Sequence, residues 1–211
     1  DATKRGQLNT VLGRMGGVLT ATVASVTTAN FTSQIPNAAG TDVLTVTLAN
    51  NGGDHTANEI IAIDDATAGH ITATAIVNVA DNVTDLQNLV GREHATDPDK
   101  INLNANVVFK INASTDVDGA DKAKLEDVLA GTTGVGSVTT TGVGVVTGTA
   151  ANLDGIVGKS GNDAYAVTVK AGTAAATLLS SVNDDLTTAN VNASAITATS
   201  GDAAALKALF D

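Results

Sequence analysis

Two patterns alternate along the chain. Residues 43–48 read V-L-T-V-T-L and residues 143–149 read V-G-V-V-T-G-T, near period two with β-branched side chains, which predicts strands with one buried face. Residues 71–79, 101–111, 164–169 and 191–199 have the same character and are bounded by Gly, Asn or Asp, the usual turn formers. Between these stretches recurs Leu-x-x-apolar-apolar, at 86–90, 125–129, 153–157 and 206–210, with a looser copy at 178–182. Apolar side chains at i, i+3 and i+4 share one helix face, so each copy predicts a short helix. Asp81, Thr149, Thr173 and Asp202 stand where such helices would start, and Gly91, Gly131 and Gly158 follow three of them, as N-caps and left-handed C-terminal residues do.

The leading leucines at 86, 125, 153, 178 and 206 are separated by 39, 28, 25 and 28 residues. A period in that range points to stacked units, none able to bury its apolar face alone. The expected fold class is therefore mainly β with short helices, a solenoid-like stack of strand–helix repeats. Residues 1–70 are expected to form an N-terminal β-rich or capping region, and residues 71–211 the repeat array, continuing or docking beyond Asp211. Residues 7–24 carry Leu8, Val11, Leu12, Met15, Val18 and Leu19, a helical stripe broken by Gly13, Gly16 and Gly17. This reads as a short helix feeding a strand at 19–27, or as a cap or docking segment.

Composition narrows the function classes. The 211 residues include 11 basic and 22 acidic side chains, a formal charge of −11, which repels a phosphate backbone and argues against nucleic-acid binding. With 43% hydrophobic but 2% aromatic residues, the core must be built from Val, Ile, Leu and Ala. There is no Cys, hence no disulfide framework and no thiolate site. No apolar run approaches the roughly 18 residues of a membrane helix. The first residue is Asp1 rather than Met, which reads as a processed piece of an exported protein, extracellular or at the cell surface.

The stretch Gly161-Asn162-Asp163-Ala164-Tyr165-Ala166-Val167-Thr168-Val169, the small-residue run Thr173-Ala174-Ala175-Ala176 and the strand at 191–199 carry a family likeness. This part of the chain resembles a tandem repeat of long surface or secreted proteins of marine bacteria, notably picocyanobacteria, over roughly residues 139–211. The resemblance implies a structural or adhesive extracellular protein and carries no catalytic residue.

Candidate chemistry is sparse. Residues 158–166 resemble one nonapeptide of a calcium-binding β-roll, with Lys159 in place of the second Gly. Such sites are built from tandem copies and here there is one, so a turn entering a strand is the plainer reading. Asp116, Asp118 and Asp121, with Glu126 and Asp127 downstream, offer hard oxygen ligands, but Gly119 stands at position four of a calcium loop that wants Gly at six. Asp118 or Asp121 capping a helix from near Ala120 is the structural alternative. Calcium is the candidate cofactor, with Asp116, Asp118, Asp121 and Asp163 as ligands. Asp64-Asp65 and Asp97-Pro98-Asp99 read as turns. His55, His70 and His94 stand in no metal-binding frame, and neither a G-x-S-x-G elbow nor a phosphate-binding loop is present. The chain is not expected to be an enzyme. Asn30, Asn82, Asn112 and Asn192 head N-x-[ST] triplets, so glycans join the partner classes.

The expected function is an extracellular structural protein, a self-assembling subunit of a surface filament, sheath or surface layer, or an adhesin stalk. Its partners would be copies of itself, with Leu8, Val11, Leu12, Leu206, Leu209 and Phe210 as assembly contacts and with assembly dependent on calcium or salt. The alternative is a carbohydrate- or receptor-binding module such as a phage tail-fibre domain, which one Tyr and three Phe equip poorly with aromatic platforms.

Overall fold

A computed structural model describes residues 1–93, 101–131, 137–142, 144–157, 165–186 and 191–210. They form two compact units, residues 1–79 with 88–107, and residues 80–87 with 108–211.

The first unit alternates helix and strand. Helix α1 (Ala2–Leu12) starts where the Asp1 carboxylate accepts the Lys4 N–H at 2.9 Å, and α2 (Thr28–Gln34) starts at Thr27 in the same way. Helix α3 (Ala57–Asp65) opens with a capping box: Thr56 Oγ1 accepts the Glu59 N–H at 3.1 Å while Glu59 Oε2 accepts the Thr56 N–H at 3.3 Å. Between them run β1 (Thr20–Val26), β2 (Val43–Leu48), β3 (Ile71–Ala73) and β5 (Ile101–Leu103), joined in that order into one parallel sheet. Thr20 lies opposite Val43, Val46 opposite Ile71, and Ile71 opposite Ile101, so partners stand 23, 25 and 30 residues apart. Each crossover of that length has room for one helix, as parallel strands require. Strand β4 (Asn78–Asp81) and helix α4 (Val83–Val90) lie where the chain crosses from one unit to the other.

The second unit continues the alternation with β6 (Val108–Ile111), β7 (Thr115–Asp116), α5 (Asp121–Gly131), β8 (Ser137–Thr140), β9 (Val146–Gly148), α6 (Ala150–Val157), β10 (Val167–Val169), β11 (Gly172–Ala175), α7 (Ala176–Asp185), β12 (Val191–Asn192), β13 (Ile196–Ser200) and α8 (Ala203–Phe210). Its strands form three parallel groups: β6 with β8, β7–β9–β10–β12, and β11 with β13.

This architecture corrects the expected fold class. Of the described residues, 38% are helical and 28% lie in strands; the protein is mixed α/β with parallel sheets and eight helices, not mainly β, and no solenoid is found. The strand content was overestimated because long β-branched stretches break at turns. Residues 71–79 divide into β3 and the start of β4, and residues 101–111 into β5 and β6. Helices were undercounted because α2 and α3 lack the Leu-x-x-apolar-apolar stripe and hold their faces with Phe31, and with Ala57, Ile60 and Ile63.

Where the stripe is present it does what its period demands. Leu86 and Leu89 of α4, Leu125, Val128 and Leu129 of α5, Leu153 and Ile156 of α6, and Leu179 and Val182 of α7 are all buried. In the strands Leu44, Val46, Ile71, Ile101, Phe109, Val146 and Val167 are each no more than 1% exposed. Aliphatic side chains thus fill a core almost free of aromatic volume.

Close backbone approach adds a second constraint. Thr67, in the turn after α3, is buried; its Oγ1 accepts the Leu44 and Gly69 N–H groups at 2.7 and 2.9 Å and lies 2.8 Å from the Asp42 carbonyl to which it donates. Gly69 follows so closely that a Cβ there would stand 2.3 Å from the Leu44 carbonyl oxygen.

Two substitutions check this packing by chemical denaturation. Ile71→Ala, between β2 and β5, is expected to cost about 2–5 kcal/mol, as a large-to-small change at a fully buried site does. Gly69→Ala should be destabilising although alanine is the better residue in an unfolded-chain comparison; equal or higher stability would show that β2 and the Thr67 turn are not this close.

Candidate functional site

The acidic residues singled out above separate in space. Asp116, at the end of β7, and Asp118, two residues on, converge with the start of α6 and with Lys170 beyond β10. Lys170 Nζ lies 2.6 and 2.7 Å from the Asp116 carboxylate oxygens and 3.1 Å from Asp118 Oδ2. Asp118 also accepts the Thr149 N–H at 2.8 Å, the Thr149 hydroxyl at 3.2 Å and the Asn152 amide at 2.8 Å. Thr149 Oγ1 in turn accepts the Asn152 N–H at 3.4 Å. Asp118 therefore sits at the N-terminus of α6, where free amides and the helix dipole favour an anion, while Lys170 supplies the positive charge.

The electrostatics follow from this geometry. Burial pushes the Asp118 carboxyl up, but hydrogen bonds from Asn152, Thr149 and Lys170 outweigh it and hold the group at about 2. The Lys170 hydrogen bond, with help from the Asp118 N–H, draws Asp116 down, and the same two carboxylates raise Lys170. Two of the positions expected as calcium ligands, Asp116 and Asp118, share the Lys170 ammonium. Asp121 stands apart and pairs with Lys124 at 3.0 Å, and Asp163 lies outside the described residues. Among the described residues, no group of three or more His, Asp or Glu side chains is arranged to hold a metal ion.

In the first unit the corresponding polar link joins α3 to the turn after α4, where Arg92 Nη1 contacts Asp64 Oδ2 at 2.7 Å and Asp65 Oδ1 at 2.5 Å. Asp64 and Asp65, read as a turn from sequence, are the end of α3 and the anchor for this arginine. His55, just before α3, is fully buried. Its Nδ1 is 3.5 Å from Thr28 Oγ1, and its Nε2 has no hydrogen-bond partner among the described residues. Burial lowers its pKa, and the negative charges of Glu59 and Asp54 oppose that only in part.

The residues assigned to assembly are divided between two surfaces. Leu8 is half-buried beside β1, Val11 is exposed and Leu12 is buried. Leu206 is half-buried on α8, while the side chains of Leu209 and Phe210 lie outside the described residues. Grooves mark both surfaces: one of about 370 Å³ between α1 and β1, and one of about 410 Å³ between α7 and α8. Of the N-x-[ST] asparagines, Asn82 is committed to capping α4 through the Thr84 and Asp85 N–H groups, whereas Asn112 and Asn192 are exposed outside the helices.

Sequence reasoning found Asp116, Asp118 and Thr149 but missed Lys170 and Asn152. A lysine directly after the V-T-V of β10 was the available signal, and only the register of β10 against β9 brings it to the aspartates. Comparison with family models, with curated proteins and with solved structures gives no match.

Two titrations check the site. Asp118 is held below its ordinary 3.8, so its contribution is complete above pH of about 4 and is lost as pH falls toward 2. Asp118→Ala should lower stability at neutral pH by about 0.5–2 kcal/mol, as loss of a helix cap does, and the difference from wild type should shrink over that acid range. His55 has the opposite charge type. Its folded value lies below the ordinary 6.5, so the unfolded chain binds the proton first and stability falls as pH drops through about 6.5. His55→Gln should flatten that part of the stability–pH profile.

Proposed function

We propose that this chain is an extracellular structural protein whose copies assemble through exposed strand surface. The observation that carries the reading is β13. Its burial pattern runs half-buried, then exposed for four residues in succession, whereas interior strands such as β3, β9 and β10 alternate buried and half-buried positions. It pairs with β11 alone among the described residues. An edge strand of this kind offers backbone N–H and C=O groups to another chain, and proteins that stay monomeric usually protect it with charge, proline, a bulge or a covering element. Ile196-Thr197-Ala198-Thr199-Ser200 contains no charge and no proline, and its one irregularity is confined to the step opposite Gly172 and Thr173.

The edge strand β1 is built differently. A bulge interrupts it between Val23 and Val26, Ser25 adopts φ of 54°, and α1 lies alongside with Lys4 and Arg5. Both edge strands carry a bulge, but only β1 has a basic helix beside it, and that difference favours directional association. The high negative charge keeps free subunits apart in dilute solution. Among the described side chains the aromatic ones, Phe31, Phe109 and Tyr165, are all buried and offer no face for stacking on a sugar.

The test is electron microscopy and sedimentation of wild type and of Ala198→Lys, a charge placed on the exposed strand. Wild type should form higher assemblies as concentration rises, and the variant should remain monomeric with an unchanged melting temperature. A wild-type protein that stays monomeric at millimolar concentration, or a variant that assembles equally well, would overturn the reading.

A further inference from the structure

We propose that the surface covering β13 and α8 is the α1–β1 face of a second copy, held by opposite charge. This inference rests on the assembly reading above and names the partner surface. The chain carries −11 overall, yet residues 1–41 hold three of its 11 basic side chains, Lys4, Arg5 and Arg14, against Asp1 alone. That stretch is positive in a strongly negative protein. Residues 171–210 hold Asp184, Asp185 and Asp202 against Lys207 and are negative.

The structure places these charges at the two grooves. Lys4 and Arg5 line the one between α1 and β1, facing Ala21 to Ala24 of the strand. Arg5 is aimed by a hydrogen bond from its Nε to Gln34 Oε1 at 2.5 Å, which ties α1 to α2. Asp184 and Asp185 are exposed and line the groove between α7 and α8, with Ala205 and Ala208 opposite. Exposed apolar residues occur in the same segments of chain. Val11 and Met15 on and just after α1, and Val18 before β1, are 44%, 47% and 61% exposed; Ala203, Ala204 and Ala208 are exposed on α8. The first groove holds two cations against one carboxylate, Asp1, and the second holds two carboxylates beside the small side chains Ala205 and Ala208. That complementarity suits a contact with apolar contact area and a charged margin.

The surfaces belong to different units of one chain, so a contact between them is heterologous, with the same interface repeating from copy to copy. Such an interface closes a ring or grows a filament. Its dependence on salt follows from the exposure of Lys4, Asp184 and Asp185, since charges at a solvent-accessible margin are screened within roughly 10 Å at 0.1 M salt.

A charge swap tests the pairing. Lys4→Glu with Arg5→Glu, and separately Asp184→Lys with Asp185→Lys, should each weaken self-association at least about tenfold in sedimentation at low ionic strength. The chain bearing all four changes should recover to within about threefold of wild type. Because Arg5 also anchors α1, Lys4→Glu alone is run in parallel and should weaken association in the same direction with an unchanged circular dichroism spectrum. Failure of the four-fold variant to recover, or assembly indifferent to Lys4→Glu and to salt, would overturn this pairing. If Ala198→Lys still abolished assembly in that case, the structural reading would stand with a different partner surface.

Discussion

Parallel pairing over very few residues is the constraint on which this protein depends. Strands β3, β5, β9 and β10 have three residues each, and β7 and β12 have two. Pairs with so few rungs cannot hold themselves in water, since even an isolated hairpin of ordinary length is marginal. Helices packed on the strands add what the rungs lack: α5 lies against β7 and β8, α6 against β9, and Leu125, Val128, Leu153 and Ile156 of these helices are buried. The aliphatic composition suits this use: side chains such as Leu86, Leu125 and Leu153 fit short elements in narrow layers, where bulkier rings would force the strands apart.

Polar groups then fix what the aliphatic contacts leave loose. Thr67 ties the turn after α3 to β2, Arg92 ties the end of α3 to the turn after α4, and Asp118 ties the β7 region to the start of α6 and to Lys170. Asp118 and Lys170 exemplify the economy of the arrangement. One carboxylate caps a helix, receives an ammonium and orients an asparagine, and the cluster reaches between segments up to 54 residues apart in the chain. The aspartates expected from sequence to hold calcium link β7, the start of α6 and Lys170.

The asymmetry of the strand edges connects fold to proposed function. Where β1 is bulged and flanked by a basic helix, β13 carries its bulge at its start, is uncharged and is exposed over its last four residues. A structure whose internal cohesion is lateral strand pairing leaves a matching surface wherever pairing stops. Whether that surface is protected determines whether such a protein stays single or polymerises, and here the two edges received opposite treatment.

What could be read from the chain alone was local. The apolar positions of α4 to α7 follow from a period carried by five consecutive residues, and the caps Thr149 and Asp202 lie within three residues of the amides they accept. The caps of α4 and α7 were misplaced by the same reading: Asn82, not Asp81, holds the α4 amides, and Ala175 before α7 makes no side-chain bond. Helix α3 was not read from the sequence; the Thr56-x-x-Glu59 box was the signal available, while its β-branched isoleucines argue for a strand on propensity. Only tertiary structure decided the balance of helix over strand, the partners of Asp116 and Arg92, and which edge is covered. These depend on register and crossover length between segments 23 to 54 residues apart, and a periodic pattern records which face of an element is buried without recording what lies against it.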